Sequence, residues 1–290
     1  TPDRIDDINP EEIASIEVVR GPSAATLYGT DAANGVIVIT TKHGTSGKPE
    51  LKYFTEQGVH VDNNTYPDAY TGWTTGKTAA TTSSVSNRVN CYLTAQAYGT
   101  CTQDSVTSYN LYKDPQSTPN GAGYRQAHGL QLSGGSPAVR YFMSGQWESE
   151  DGVLKVPEFD QAYLAAHNLK LRPEAADPNH MGKISTRANF NMALSPQFDL
   201  AFNTGYISQN VRLPTSDDSG TEGVAGNTYA GPGFKYNINP ATGDTLYGWR
   251  QITPRDIYQV YTNQAIQRVI TGGNSNWRPT DWFTVRADLG

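Results

Sequence analysis

Ile184-Ser185-Thr186-Arg187-Ala188-Asn189-Phe190-Asn191-Met192-Ala193-Leu194, then Ser195-Pro196-Gln197, then Phe198-Asp199-Leu200-Ala201-Phe202-Asn203-Thr204-Gly205-Tyr206, is the stretch that decides the fold. On both sides of the Ser-Pro-Gln break, apolar residues alternate with polar ones. Side chains of an extended chain point to opposite faces in turn, so this period makes strands with one apolar and one polar face. The break between them is short enough for a tight hairpin. The same alternation runs through Val139–Glu148 and Phe283–Leu289, and less cleanly through about 50–61, 124–134 and 264–276. That makes seven strands. Their connections alternate in length. Short joints fall near Gly134-Gly135-Ser136-Pro137, Ser195-Pro196-Gln197 and Arg278-Pro279-Thr280-Asp281; long ones span roughly 62–123, 151–181 and 208–263. Long structureless loops are uncommon in compact soluble domains, but alternation of short turns and long loops is the pattern of transmembrane β-barrels. Trp277, Trp282, Phe198 and Tyr141 lie near the short turns, where an interfacial aromatic girdle belongs.

Composition agrees. Of the 290 residues, 37% belong to the apolar set, and the mean hydropathy is −0.56. The longest apolar run is Ala162–Ala166, far short of the roughly 18 residues of a membrane helix. Any membrane span here is therefore a β-strand, which satisfies its backbone through its neighbours. Net charge is −6, with no Lys/Arg cluster to grip a phosphate backbone, which argues against nucleic acid as a partner.

Residues 1–44 read differently. Asn9-Pro10-Glu11-Glu12 starts as a capped helix, with Asn9 at the N-cap, Pro10 at the first helical position and Glu12 at the capping-box position. Arg20-Gly21-Pro22 is a turn, and Ser23–Tyr28 reads as a further helical turn closed by Gly29. Gly35–Thr41 is a β-branched run that predicts a strand buried on both faces. The unit is a small α/β domain ahead of the barrel. Both ends of the chain read as cut, so we expect a segment of a longer protein.

These residues carry a resemblance. Asp7-Ile8-Asn9-Pro10-Glu11-Glu12-Ile13, Ile16-Glu17-Val18-Val19-Arg20-Gly21-Pro22-Ser23-Ala24-Ala25, Leu27-Tyr28-Gly29 and Ala32-Ala33-Asn34-Gly35-Val36-Ile37-Val38-Ile39-Thr40-Thr41-Lys42 resemble the plug of TonB-dependent outer-membrane receptors. The Asn-Pro start and the Ala-Ala-Asn-Gly-Val-Ile run resemble the SusC/RagA branch. The resemblance implies an all-β transmembrane antiparallel barrel, here partial, preceded by the C-terminal part of a plug. Residues 1–44 are expected to be plug and 45–290 the N-terminal part of the barrel. It further implies energised import of a bulky nutrient, oligosaccharide or peptide, across the bacterial outer membrane. TonB would act through a segment outside this sequence, and a SusD-like surface lipoprotein is the expected partner. A siderophore or cobalamin receptor would keep the same plug; a soluble all-β carbohydrate-binding or adhesin module would leave the plug motif unexplained. The motif residues carried over are Arg20, Gly21, Pro22, Tyr28, Gly29, Asn34 and Gly35. Family plugs place an arginine at the Arg20 position to meet acidic residues of the barrel wall, and a buried guanidinium needs such partners.

Other motifs carry less. Gly72-Trp73-Thr74-Thr75-Gly76-Lys77-Thr78 has one residue too few between its glycines for a P-loop. Asp217-Asp218-Ser219-Gly220-Thr221-Glu222 lacks the carboxylate spacing of an EF-hand and reads as a solvated loop tip. His43, His60, His128, His167 and His180 are scattered, so no metal site is expected. No catalytic constellation and no cofactor motif is present, and an enzyme is not expected. Cys91 and Cys101, in the longest loop of an exported chain, are expected to form a disulfide. The tyrosine-rich loops suit sugar or peptide contact.

Overall fold

The computed structural model describes residues 9–20, 26, 29, 32, 34–75, 88–216 and 222–290. Asn9 caps a single 3-10 turn, Pro10–Glu12, accepting the Glu11 N–H on its side-chain oxygen at 2.9 Å. The chain then extends as β1 (Ile13–Val19), which pairs antiparallel with β2 (Val36–Thr41). The ribbon is exposed on one side: Ile16, Val18 and Ile37 are more than half exposed. Burial on both faces, read from the β-branched run, is therefore corrected. A two-stranded ribbon has no second layer of its own, and its Ile16–Ile39 face stands across a gap from the wall described next.

The period-two segments form the wall. In chain order its strands are β3 (Gly47–Val61), then, beyond a loop containing β4 (Ala69–Thr75), β5 (Arg88–Asn90) and β6 (Ser105–Tyr109), the strands β7 (Ala122–Gly135), β8 (Val139–Asp151), β9 (His180–Ser195), β10 (Phe198–Pro214), β11 (Tyr261–Thr280) and β12 (Phe283–Leu289). β3 and β7–β12 make one antiparallel meander in which each strand pairs with the next; β3 and β12 are its edges, so the sheet is not closed within this chain. The last short turn lies at Asp281-Trp282 rather than 278–281, because β11 continues through Arg278 and Pro279. A register shift between Trp277 and Thr280 accommodates the proline, which cannot donate to a ladder.

Registers fix the two faces. Phe202 faces Phe190, Tyr206 faces Thr186, and Ile184 faces Trp147, all on one side; Ile207 faces Ser185, and Asn203 faces Asn189, on the other. The first side is apolar and open: Val139, Met143, Trp147, Ile184, Leu194 and Trp277 are all exposed. Along β9 the apolar face runs from Ile184 to Leu194. At ~3.3 Å per residue that is ~33 Å of strand, or ~23 Å of height at a ~45° tilt, close to the ~25 Å apolar band of an outer-membrane barrel.

The long loops are not structureless. β4, β5 and β6 form their own sheet. Short helices α1 (Leu93–Ala97), α2 (Glu158–Ala166), α3 (Pro173–Ala176), α4 (Val224–Tyr229) and α5 (Pro254–Ile257) follow. Together the three loops pack a core of Leu111, Val156, Phe159, Trp249, Ile257 and Tyr258, among others, into a cap over one end of the wall. The Trp249 indole N–H donates to Ser117 O at 3.1 Å, joining the first loop to the third. No helix among the described residues is long and apolar enough to cross a membrane.

Candidate functional site: the ribbon on the wall and the cap above it

The N-terminal ribbon lies on the polar face of the wall, and its hold begins at the 3-10 turn. Glu12, 3% exposed, sends its two carboxylate oxygens to two strands: one accepts from the Ser144 hydroxyl on β8 at 2.5 Å, the other from Arg187 Nε on β9 at 2.6 Å. Asn9 donates to the Gln146 side chain, and Gln131 Nε2 on β7 donates to Glu11 O at 2.9 Å. At the same end of the ribbon, just past β2, Asn189 Nδ2 donates to Lys42 O at 2.8 Å. Lys42 Nζ also donates to Glu11 O, fastening the neighbouring entry and exit strands at this end of the ribbon. The expected capping-box role of Glu12 is thus corrected: the helix is one turn long, and the carboxylate leaves it for the wall.

Above this junction the polar face carries Arg125, bridged to Glu56 at 2.6 Å and Glu148 at 2.7 Å. A gap of about 430 Å³ separates Ile16 and Ile39 of the ribbon from Phe54, Arg125 and Lys183 of the wall. Gly129 lets the Phe54 ring lie flat across the strand pair; a Cβ there would sit 2.1 Å from the ring.

The motif residues fall as follows. Arg20 is exposed and has no ion pair among the described residues. Gly29 and Gly35 have φ of +89° and +111°, which explains glycine at both; a Cβ on Gly35 would also approach Val19 O to 3.1 Å. Asn34 is an exposed turn residue beside it. Gly21, Pro22 and Tyr28 lie outside the described residues, as do Asp217–Thr221 of the acidic loop and Gly76-Lys77-Thr78 of the P-loop-like stretch. Gly72–Thr75 of that stretch are the end of β4, not a phosphate-cradling loop. No group of metal-ligating residues occurs among the described residues.

In the cap, Cys91 and Cys101 are joined by a disulfide that closes the segment holding α1. A groove of about 660 Å³ opens beside it, lined by Tyr70, Tyr92, Phe234, Tyr236, Asn237 and Arg250. Tyr70, Tyr92 and Tyr236 are each more than 60% exposed, so flat aromatic faces stand next to amide and guanidinium donors. Elsewhere in the cap Asp160, fully buried, accepts from Thr253 Oγ1 at 2.8 Å and Arg255 N at 3.0 Å and pairs with Arg255 Nη1 at 3.2 Å, linking the second loop to the third. Burial pushes its carboxyl up to about 6, against those donors.

Residues 1–36 match the family profile of the TonB-dependent Receptor Plug Domain. TonB-dependent receptor P3 of Formosa agariphila is 33% identical over 147 residues, covering 50% of this chain and 12% of that protein. TonB-dependent receptor SusC of Bacteroides thetaiotaomicron is 45% identical over 47 residues, covering 16% of this chain and 5% of that protein. The chain is a segment of a SusC/RagA-like TonB-dependent receptor. The solved RagAB peptide importer in its closed-closed state has the same fold: TM-score 0.61 at 18% identity, covering 99% of this chain and 33% of that one. The receptor segment therefore spans a third of the RagAB chain and about an eighth of the Formosa relative. Members of this family are outer-membrane β-barrels and are receptors and transporters rather than enzymes. Sequence reading of the receptor segment missed Arg187 and Ser144 and assigned Glu12 to the helix cap instead of to them. The available signal was an arginine in the middle of a strand's polar face, which needs an acid from somewhere.

Proposed function

We propose that this receptor segment supplies part of the plug, residues 1–44, and the first barrel strands, residues 45–290, of an outer-membrane importer driven by TonB. The cargo is a bulky nutrient, oligosaccharide or peptide, handed over by a SusD-like lipoprotein at the cap. The observation that carries this reading is the ribbon hydrogen-bonded to the polar face of a sheet whose other face is an apolar band: a plug inside a membrane wall. The tyrosine-lined groove is where cargo first meets the cap, and the name of the RagAB peptide importer favours a peptide. Arg20 is the plug residue that meets acidic groups of wall strands beyond this sequence.

The test uses cells producing the full receptor, with and without TonB, given labelled peptide and oligosaccharide mixtures in turn. Uptake of one class that disappears with TonB or with the receptor is the expected result. Uptake indifferent to both refutes the reading. In the same cells, a cysteine at Lys170 should react with an impermeant label and one at Gln197 should not, because the cap faces outward and the short turns inward. The reverse pattern refutes the orientation.

A further inference from the structure

The outward face of the wall does not end where its apolar band ends. Past Trp147 and Ile184 the same face continues for several residues, and the registers show which side chains share it. Ser208 stands opposite Ile184, Asn210 opposite Gly182, and Arg212 opposite both His180 and Asn263. The chemistry changes abruptly here, from Phe, Met, Leu and Ile to Ser, Asn, Arg and His. Gly182 leaves a depression of about 340 Å³, floored by the strands and closed at its lower edge by Trp147 and Ile184.

The charges at this rim are unusual. His180 already has its carboxylate, Asp151 Oδ1 at 2.6 Å. Arg212 has none among the described residues: Nε and Nη2 both donate to the Asp177 carbonyl, at 3.2 and 2.7 Å. Arg172, exposed at the top of the same face, is held in the same way. Its Nη2 donates to Gln259 O at 2.5 Å, and its guanidinium lies 5.5 Å over the Tyr261 ring. Tyr261 pairs with Pro214, so this second cation sits ~7 Å further along the strand than Arg212. Two guanidiniums are thus oriented by backbone carbonyls and an aromatic face, which fix their geometry without cancelling their charge. A carbonyl-anchored guanidinium keeps other N–H groups free in a planar fork suited to phosphate.

We propose that this shelf holds the phosphorylated headgroup of an outer-leaflet lipid, with the acyl chains descending along Trp147 and Ile184 into the apolar band. The inference rests on the reading of the sheet as an outer-membrane wall. Charge complementarity selects the phosphate, the amides of Asn210 and Asn263 and the Ser208 hydroxyl suit a sugar-bearing headgroup, and the position at the edge of the band selects a lipid over a soluble anion. In this arrangement Trp147 marks the depth at which headgroup gives way to hydrocarbon, as interfacial aromatics do.

The experiment uses the full receptor in detergent, with retained lipid counted by native mass spectrometry. The probes are lipid A carrying one phosphate and the same lipid without it. Expected is at least about tenfold tighter retention of the phosphorylated form, lost in Arg212→Gln/Arg172→Gln and largely restored in Arg212→Lys/Arg172→Lys. Millimolar inorganic phosphate should not displace it. Equal retention of the two lipids, or a glutamine variant that retains lipid like wild type while running as a folded, heat-modifiable barrel, overturns the proposal. So does displacement by inorganic phosphate, which would make the shelf a site for a free anion. Membrane fractionation separates the two failures: a receptor absent from the outer membrane sinks the underlying reading, whereas a correctly located receptor without phosphate selectivity sinks only the shelf.

Discussion

Removal of the Glu12 carboxylate is the sharpest test of how the plug is held. Glu12 is 3% exposed, and its partner Arg187 is 18% exposed in the side chain, with 2.6 Å between Nε and Oε2. Breaking a fully buried pair by deleting one member costs about 3–5 kcal/mol, because the other charge is left without compensation. Arg187 keeps some access to water, so about 2–3 kcal/mol is the better figure for Glu12→Ala, including the lost acceptor of Ser144 at about 1 kcal/mol. At about 1.4 kcal/mol per decade, that raises the undocked fraction of the ribbon roughly 30- to 140-fold. Amide hydrogen exchange in the full receptor reads this directly: residues 13–19 and 36–41 should exchange faster by that factor, while β8 and β9 hold. Adding Arg187→Ala should recover part of the loss, since the stranded charge is then gone. Exchange within twofold of wild type in Glu12→Ala, or a double variant equal to the sum of the singles, would refute the pairing as the plug's hold.

Arg20→Ala in the full receptor should impair uptake or raise leakage of small antibiotics; wild-type permeability at equal expression would make Arg20 a plain surface residue. Replacing Cys91 and Cys101 by serine should cost the first loop up to about 3 kcal/mol by the chain-entropy argument, seen as earlier proteolysis within 62–121; unchanged proteolysis would show that the loop is held by its packing alone. Asp160 gives a pH dependence. Its folded value of about 6 lies above the ordinary carboxylate value of about 3.9, so between those values the folded cap binds more protons than the unfolded chain. Cap stability should therefore fall as pH rises from about 4 to about 6 and level off above about 7, by up to about 3 kcal/mol. Tryptophan fluorescence reporting Trp249 should follow this curve, and Asp160→Asn should flatten it; the same slope in that variant refutes the assignment.

The wall was legible because its two faces meet different surroundings, and period two is the direct imprint of that difference. Ile184–Leu194 and Phe198–Tyr206 show it in single residues. The outer ends of β10 and β11 were not legible: Val211-Arg212-Leu213-Pro214 and Tyr261-Thr262-Asn263 rise beyond the apolar band, and there the phase reverses, with Arg212 on the face of Ile184 and Val211 and Leu213 on the other. The cap was missed for a different reason. Leu111, Val156, Val224 and Trp249 come from three loops, and no local window holds enough of them to look like a core. Glu12 was misread because its neighbours satisfy a helix cap on their own terms, whereas Arg187 lies 175 residues away. The glycines of the plug motif were readable as backbone requirements, and Gly29 and Gly35 do adopt positive φ.

The pairing of β1 with β2 has a mechanical consequence. In this antiparallel ribbon Ile13 faces Thr41, so the incoming end and the end tethered to the wall lie side by side. Tension between them loads the ribbon like a zipper, not like a lap joint. The rungs fail one at a time, from Ile13–Thr41 toward Val19–Val36, and the load never falls on all of them together. Glu12, one residue before the first rung and clipped to Arg187, is the fuse in that line. Once it parts, a pull has only one rung of the ribbon to break at a time.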